Sequence, residues 1–216
     1  MASGSEYWLE RWEQGRIGFH EAAVNPLLVE HYKVLDDSLR VLVPLCGKSV
    51  DLEWLVVHGY EVVGIELSEL AALAFFEERG FVPERRQQGV YVQYQHGGVT
   101  ILVGDFFAAD SQELGSFDGV YDRAAMIALP EDLRSRYTAH LRTLLAPKAK
   151  LLLVTLHFDV GGGPPFSVSP AEVAAAYAGA KITQLASVDA RAEVPAAVES
   201  GATFVHEDVY AVEFSA

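Results

Sequence analysis

The stretch LRVLVPLCGKSVDLEWLVVHGYEVVGIE, residues 39–66, decides the fold of this chain. It begins with a short β-branched apolar run over 39–43, which is typical of a buried strand. Large apolar residues then recur at helical spacing over 50–58, and Gly59 ends that helix. A second apolar run over 61–66 follows. The stretch therefore predicts a strand, a glycine-containing loop, a helix and a second strand.

Strands and helices continue to alternate on both sides of this stretch. Asn25 and Pro26 predict the cap and first residue of a helix that runs to about Val34, and Ser68 caps another that ends at Gly80. The other predicted elements are a hairpin of strands at 90–95 and 99–103, strands at 117–121, 150–156, 182–188 and 204–214, and helices at 131–145 and 171–177.

This alternation favours an α/β fold with a doubly wound, mostly parallel sheet and helices on both faces. The last two strands are expected to be joined without a helix, which predicts an antiparallel edge pair. We expect about seven strands in one domain over residues 1–216, with the aromatic segment around Tyr7, Trp8 and Trp12 as a docking or lid helix.

Composition limits the partners of this chain. Its 16 basic and 30 acidic residues give a formal net charge of −14, which would repel a phosphate backbone. No apolar stretch approaches the roughly 18 to 20 residues that span a bilayer, and charged residues in the first twenty argue against a signal peptide. Cys46 is the only cysteine, so no intrachain disulfide is possible. We expect a monomeric cytoplasmic protein without nucleic-acid or membrane partners.

The loops that follow the strands carry the candidate site, because ligands of doubly wound sheets bind beyond the carboxyl ends of the strands. Gly47 follows the first strand and lets the backbone approach a ligand. Glu66 lies 19 residues further on, where an acidic side chain accepts hydrogen bonds from ribose hydroxyls. Asp105 and Arg123 follow later strands and are expected to converge on the same cleft.

Two other nucleotide sites fit the sequence less well. A nicotinamide dinucleotide site needs three spaced glycines, of which only Gly47 is present. A phosphate-binding loop needs a glycine five residues before Gly47, and that position is Leu42. Because Lys48 and Ser49 follow Gly47, an ATP- or GTP-dependent phosphotransferase stays as an alternative hypothesis, although Lys48 is more often solvated.

Five segments resemble one known family, in the order of that family. They are WLERWEQGRIGFH from Trp8, VPLCGKSVDLEWL from Val43, VVGIELSE from Val62, FDGVYDRAA from Phe117 and GGPPFSV from Gly162. The chain resembles the thiopurine S-methyltransferases, a branch of the class I S-adenosylmethionine-dependent enzymes. The resemblance implies a Rossmann-like fold, S-adenosylmethionine as methyl donor and S-adenosylhomocysteine as product.

The resemblance also implies site residues, and it makes residues 5–36 a helical lid over the cofactor. The implied cofactor residues are Trp8, Trp12, Phe19, Leu45, Gly47, Glu66, Asp105, Phe106 and Arg123. The implied substrate residues are Phe19, Arg123 and Pro165. From the residues alone, the tryptophans could instead be core aromatics, and Arg123 could pair with Asp122 at the surface. Cys46 is better explained as a small packed residue than as a nucleophile.

The resemblance implies methyl transfer to the sulfur of a small thiol or thiopurine. Displacement at a sulfonium needs alignment and exclusion of water more than a base, so we predict no proton-abstracting residue and no metal. Selenium or tellurium species, halide or thiocyanate are alternative methyl acceptors. After the methyltransferase and the phosphotransferase, the third hypothesis is a binding module that keeps the cofactor pocket without catalysis. The substrate-side arginine of the family is absent between the last two strands, or is replaced there by Arg191.

Overall fold

The chain folds around one sheet in the computed structural model, which describes residues 4–18 and 20–215. Within those residues the sheet has nine strands: β1 (Arg40–Pro44), β2 (Glu61–Glu66), β3 (Glu84–Gln88), β4 (Tyr91–His96), β5 (Val99–Val103), β6 (Phe117–Asp122), β7 (Leu145–Phe158), β8 (Lys181–Asp189) and β9 (Val205–Glu213).

Helices connect most of these strands. They are α1 (Ser5–Glu13), α2 (Pro26–His31), α3 (Asp51–Val57), α4 (Glu69–Glu77), α5 (Ser111–Leu114), α6 (Ala125–Ala128), α7 (Glu131–Thr143), α8 (Pro170–Ala176) and α9 (Pro195–Glu199). Short 3-10 turns follow α2 and β5. Across the described residues, every helix is too short or too polar to cross a bilayer.

The strand order is β3-β4-β5-β2-β1-β6-β7-β9-β8. Strands β5, β2, β1, β6 and β7 are parallel, and the chain winds outward from β1 first to β2 and β5, then to β6 and β7. The doubly wound, mostly parallel α/β sheet predicted from the sequence is therefore confirmed. The antiparallel strands are β4 and β9, each second from its edge rather than at the edge itself.

The expected number of about seven strands is too low. Strand β3 was not predicted because its sequence, ERRQQ, is polar and almost wholly exposed, so it lacks the apolar alternation that indicates a strand. Antiparallel pairing with β4 holds it in place. The expectation of no helix between the last two strands is also wrong, because Pro195 begins the five-residue α9. The antiparallel pairing of β8 with β9 is confirmed.

Apolar side chains pack on both faces of the sheet. On one face, Tyr137 of α7 and Val173 of α8 lie over Leu153 of β7. On the other, Leu55 of α3 and Phe75 of α4 belong to a second buried cluster. The two layers hold the parallel strands in register, so that their carboxyl ends form one rigid edge.

Residues 5–36 divide into two parts. Helix α1 has no buried residue and contacts α4. The turn that begins at Asn25, by contrast, belongs to the core: the Asn25 side chain caps α2 by accepting from the amide of Leu27 at 2.8 Å, and Leu28 and Leu35 are fully buried. The part around α1 thus differs from the part around α2, which is packed in the core.

Asp51 joins the start of α2 to the sheet. It is 2% exposed, and its carboxylate accepts from the Asn25 amide at 2.9 Å and from the Tyr121 hydroxyl at 3.0 Å. Both donors are buried, so each would be costly to leave unpaired.

We predict that Asp51→Ala lowers the free energy of unfolding by about 2 to 4 kcal/mol, because it leaves two buried donors without an acceptor. Asp51→Asn keeps one acceptor oxygen and should lose less. Urea unfolding of both variants measures this. An Asp51→Ala value within about 0.5 kcal/mol of wild type would contradict the role of Asp51.

Candidate active site

A cavity of about 530 Å³ opens where the parallel strands end, and α1 forms part of its wall. The structure brings nearly all of the predicted site residues to this cavity. Those that line it are Trp8, Trp12, Leu45, Gly47, Glu66, Asp105, Phe106, Arg123 and Pro165. Phe19, predicted for both the cofactor and the substrate pocket, lies outside the described residues.

The turn after β1 is shaped by two residues with left-handed backbone angles. Leu45 has φ of 51° and Gly47 has φ of 54°. A Cβ atom at Gly47 would lie 3.3 Å from Cζ2 of Trp12, so the Trp12 ring packs directly on the turn. Glycine is favoured at position 47 both by this angle and by this close approach.

Glu66 ties this turn to the next loop. Its side chain is buried, with Oε2 accepting from the Gly47 amide and Oε1 from the Ser68 amide, both at 2.8 Å. Burial raises the pKa of Glu66, while the hydrogen bonds from the Ser68 and Gly47 amides act in the opposite direction. An ionised carboxylate has about four acceptor positions, so capacity for further donors is left on the cavity side.

The loop after β5 forms an aromatic part of the wall. Asp105 accepts from the Phe107 amide at 3.0 Å through Oδ1, and its carbonyl accepts from the Tyr91 hydroxyl at 2.8 Å. Phe106 is buried and its ring centroid lies 5.1 Å from that of Tyr137. The guanidinium of Arg136 lies 4.0 Å from the Phe107 ring centroid. These contacts hold a cluster of aromatic rings beside the exposed carboxylate of Asp105.

Arg123 directly follows β6 and forms part of the cavity wall. Its Nη2 lies 4.0 Å from Oε1 of Glu21, which is the ion pair that the structure shows for it. The alternative of a surface pair with Asp122 is wrong, because Asp122 is fully buried and bonds to the Tyr137 hydroxyl at 2.7 Å and the Ala125 amide at 2.9 Å.

Arg191 does not replace a substrate-side arginine. It is exposed, binds Asp189 through two nitrogens, and is not part of the cavity wall. The wall near Arg123 instead contains Glu193 and Glu207, which sequence reasoning missed. For Glu207 a signal existed: the glutamate shares its strand face with Val205, Val209 and Ala211, which are apolar and buried.

The residues around the glycine turn argue against a phosphate loop. Lys48 is buried rather than solvated, and its Nζ binds Oε1 of Glu78 at 2.5 Å.

The Cys46 thiol is also buried, and burial raises its pKa well above its usual range. A Cβ at Gly64 would lie 2.5 Å from Cys46 Sγ, so Cys46 packs against β2 as a small residue. A small cavity of about 70 Å³ behind the turn includes Lys48 and His20 in its wall, and burial and Lys48 lower the pKa of His20.

The family follows from comparison with known proteins. A family model described as thiopurine S-methyltransferase matches residues 3–215. The chain belongs to the thiopurine S-methyltransferase family. The thiopurine S-methyltransferase of Pseudomonas putida KT2440 is 44% identical over 210 residues, covering 95% of this chain and 97% of that protein. That of Pseudomonas aeruginosa UCBPP-PA14 is 42% identical over 214 residues, covering 97% and 98%.

Solved structures support the fold. The 1,6-didemethyltoxoflavin-N1-methyltransferase of Burkholderia thailandensis, solved with S-adenosylhomocysteine, has a TM-score of 0.64 and 19% identity, covering 98% of this chain and 87% of that one. An S-adenosylmethionine-dependent methyltransferase from Anabaena variabilis has a TM-score of 0.66 and 12% identity, covering 97% and 94%. With the family established, the predictions of a Rossmann-like fold and of an S-adenosylmethionine-dependent methyltransferase are confirmed.

Asp122 gives this thiopurine S-methyltransferase family member a pH-dependent element beneath the site. Burial raises its pKa from an ordinary 3.8 to about 6, although the hydrogen bonds from Tyr137 and Ala125 oppose the shift. The folded state therefore holds a proton that the unfolded state has released between about pH 4 and pH 6. Stability from this group is complete below its unfolded pKa and falls as pH rises through about 6.

We predict that Asp122→Asn removes this loss. The stability of the variant relative to wild type should rise by about 2 to 3 kcal/mol from pH 4 to pH 7, because the amide has no charge to bury. Urea unfolding of both proteins at each pH gives the difference between their free energies of unfolding. The contributions of the other carboxylates are the same in both proteins and cancel in this difference. If this difference stayed constant with pH, the prediction would be wrong, because ionising Asp122 would then cost the folded state little free energy.

Proposed function

We propose that this enzyme transfers a methyl group from S-adenosylmethionine to the sulfur of a small thiol or thiopurine. The observation that carries the proposal is that one continuous cavity is lined both by the predicted cofactor residues and by Arg123 and Pro165. Methyl transfer needs donor and acceptor in one enclosed space, aligned along the bond that breaks.

The residues of the cavity fit the proposed cofactor. Glu66 has acceptor capacity for ribose hydroxyls, and Gly47 lies in the cavity wall with the Trp12 ring packed on it. The aromatic rings of Trp8, Trp12 and Phe106 provide faces for an adenine ring and for a cationic sulfur. When bound, S-adenosylmethionine supplies an electrophilic methyl group on a positively charged sulfur.

The protein's share of the chemistry is electrostatic and geometric. A thiolate is the reactive form of a thiol, and the Arg123 guanidinium in the cavity wall favours it over the neutral thiol. Pro165 and Leu156 are apolar parts of the same wall and keep water away from the reacting sulfur. The thiol proton leaves to solvent, so we assign no general base.

We further propose that the segment around α1 acts as a lid. Helix α1 buries none of its own residues, yet Tyr7, Trp8 and Trp12 form part of the cavity wall. Apolar surface exposed in this way is more stable when a bound ligand covers it. The rings of α1 would then enclose the cofactor while α2 stays in the core.

We predict that Glu66→Gln weakens binding of S-adenosylhomocysteine by about 1 to 3 kcal/mol, because a carboxamide loses the charge and one of two acceptor oxygens. Isothermal titration calorimetry measures this directly. Glu61→Gln, at the exposed opposite end of β2, is the matched control and should bind like wild type. Equal affinities for the two variants would remove Glu66 from the cofactor site.

We predict that the wild-type enzyme methylates 4-methylbenzenethiol and that Arg123→Ala lowers kcat/KM at least about tenfold, because one lost charge interaction is worth more than 1.4 kcal/mol. Transfer of radiolabelled methyl to the product measures the rate. Arg191→Ala is the control and should leave it unchanged. An Arg123→Ala variant with the kcat/KM of wild type would refute the role of Arg123. A wild-type enzyme that is inactive on a panel of thiols would refute the proposed function.

A further inference from the structure

We infer that the substrate end of the cavity selects thiols that carry a positive charge over thiols that carry a negative one, chiefly through Glu207. This inference rests on the proposed function and adds the charge class of its substrate. Glu207, Glu193 and Glu21 line the cavity together with Arg123. Three carboxylates thus face a single guanidinium at this end.

Arg123 already has acidic partners. Its Nη2 lies 4.0 Å from Glu21. Burial raises the pKa of Glu207, and Arg123 is close enough to lower that pKa in part. Glu193 and Glu21 act on Glu207 in the opposite direction. A second negative group on a substrate would therefore meet a net negative surface, whereas a cationic group would find an acceptor there.

Glu207 is held in place by the sheet. It lies opposite Leu156 of β7 in the antiparallel ladder, and both side chains reach the cavity wall. Glu207 is half-buried, while Glu193 and Glu21 are exposed at the cavity mouth. Charges in partly buried positions are screened less by water and salt than exposed ones, so Glu207 contributes most of the selectivity.

The other two arginines in the cavity wall, Arg136 and Arg11, contact aromatic side chains. Arg136 lies over the Phe107 ring, and Nη1 of Arg11 donates to the Tyr7 hydroxyl at 3.0 Å. Neither of these contacts involves Glu207. Of the three, Arg123 is the arginine shown to interact with Glu21 and Glu207.

Three para-substituted benzenethiols test the inference, with methyl, aminomethyl and carboxylate groups. We measure kcat/KM for each with radiolabelled S-adenosylmethionine at pH 7. The cationic thiol should exceed the anionic one, and Glu207→Gln should lower that ratio about tenfold, as expected for removing one nearby charge. Comparing variant with wild type cancels the different intrinsic reactivities of the thiols.

Glu199→Gln is the matched control, because this exposed residue of α9 lies outside the cavity wall and should leave the ratio unchanged. Glu193→Gln, at an exposed position, should lower the ratio by a smaller factor and is a second variant if Glu207→Gln folds poorly. A wild-type preference for the carboxylate thiol, or unchanged ratios in both variants, would overturn the inference alone. No methylation of any thiol would overturn the proposed function as well.

Discussion

The site depends on the pair of hydrogen bonds that the Glu66 carboxylate accepts. The carboxylate accepts from the Gly47 and Ser68 amides, so it joins the turn after β1 to the start of α4. The Gly47 amide lies in a left-handed turn with no strand partner, and burial without an acceptor would cost about 1 to 3 kcal/mol. Because two adjacent parallel strands end at the same edge, one side chain can serve both loops.

The same edge explains why the cavity lies where it does. The chain winds away from β1 in both directions, so the loops after β1 and β6 separate and leave a space between them. Asp122 ends β6 and is used entirely for structure, through Tyr137 and Ala125. Its neighbour Arg123 therefore does not pair with Asp122, and it forms part of the cavity wall.

Local sequence patterns predicted the central elements well and the tertiary contacts poorly. The strand expected at 61–66 is observed at Glu61–Glu66, because a buried parallel strand is a continuous apolar run. Strand β3 carries no such run and is held by pairing with β4. Lys48 and Glu78 are 30 residues apart, so no local pattern could reveal their contact. The site residues were predictable where a strand end positions them, whereas Glu207 depends on how β9 packs beside β7.

The two partners of Arg123 differ in how easily a substrate can displace them. Glu21 lies in an irregular connection, its side chain is 50% exposed, and the pair spans 4.0 Å. Such an exposed pair contributes at most about 1 kcal/mol, so the thiolate of the proposed reaction could replace Glu21 at small cost. Glu207 is fixed in a strand and cannot withdraw. In the proposed reaction, Arg123 is therefore accessible to the thiolate while the charge of Glu207 stays. One cavity would then stabilise a thiolate and still reject a second negative group.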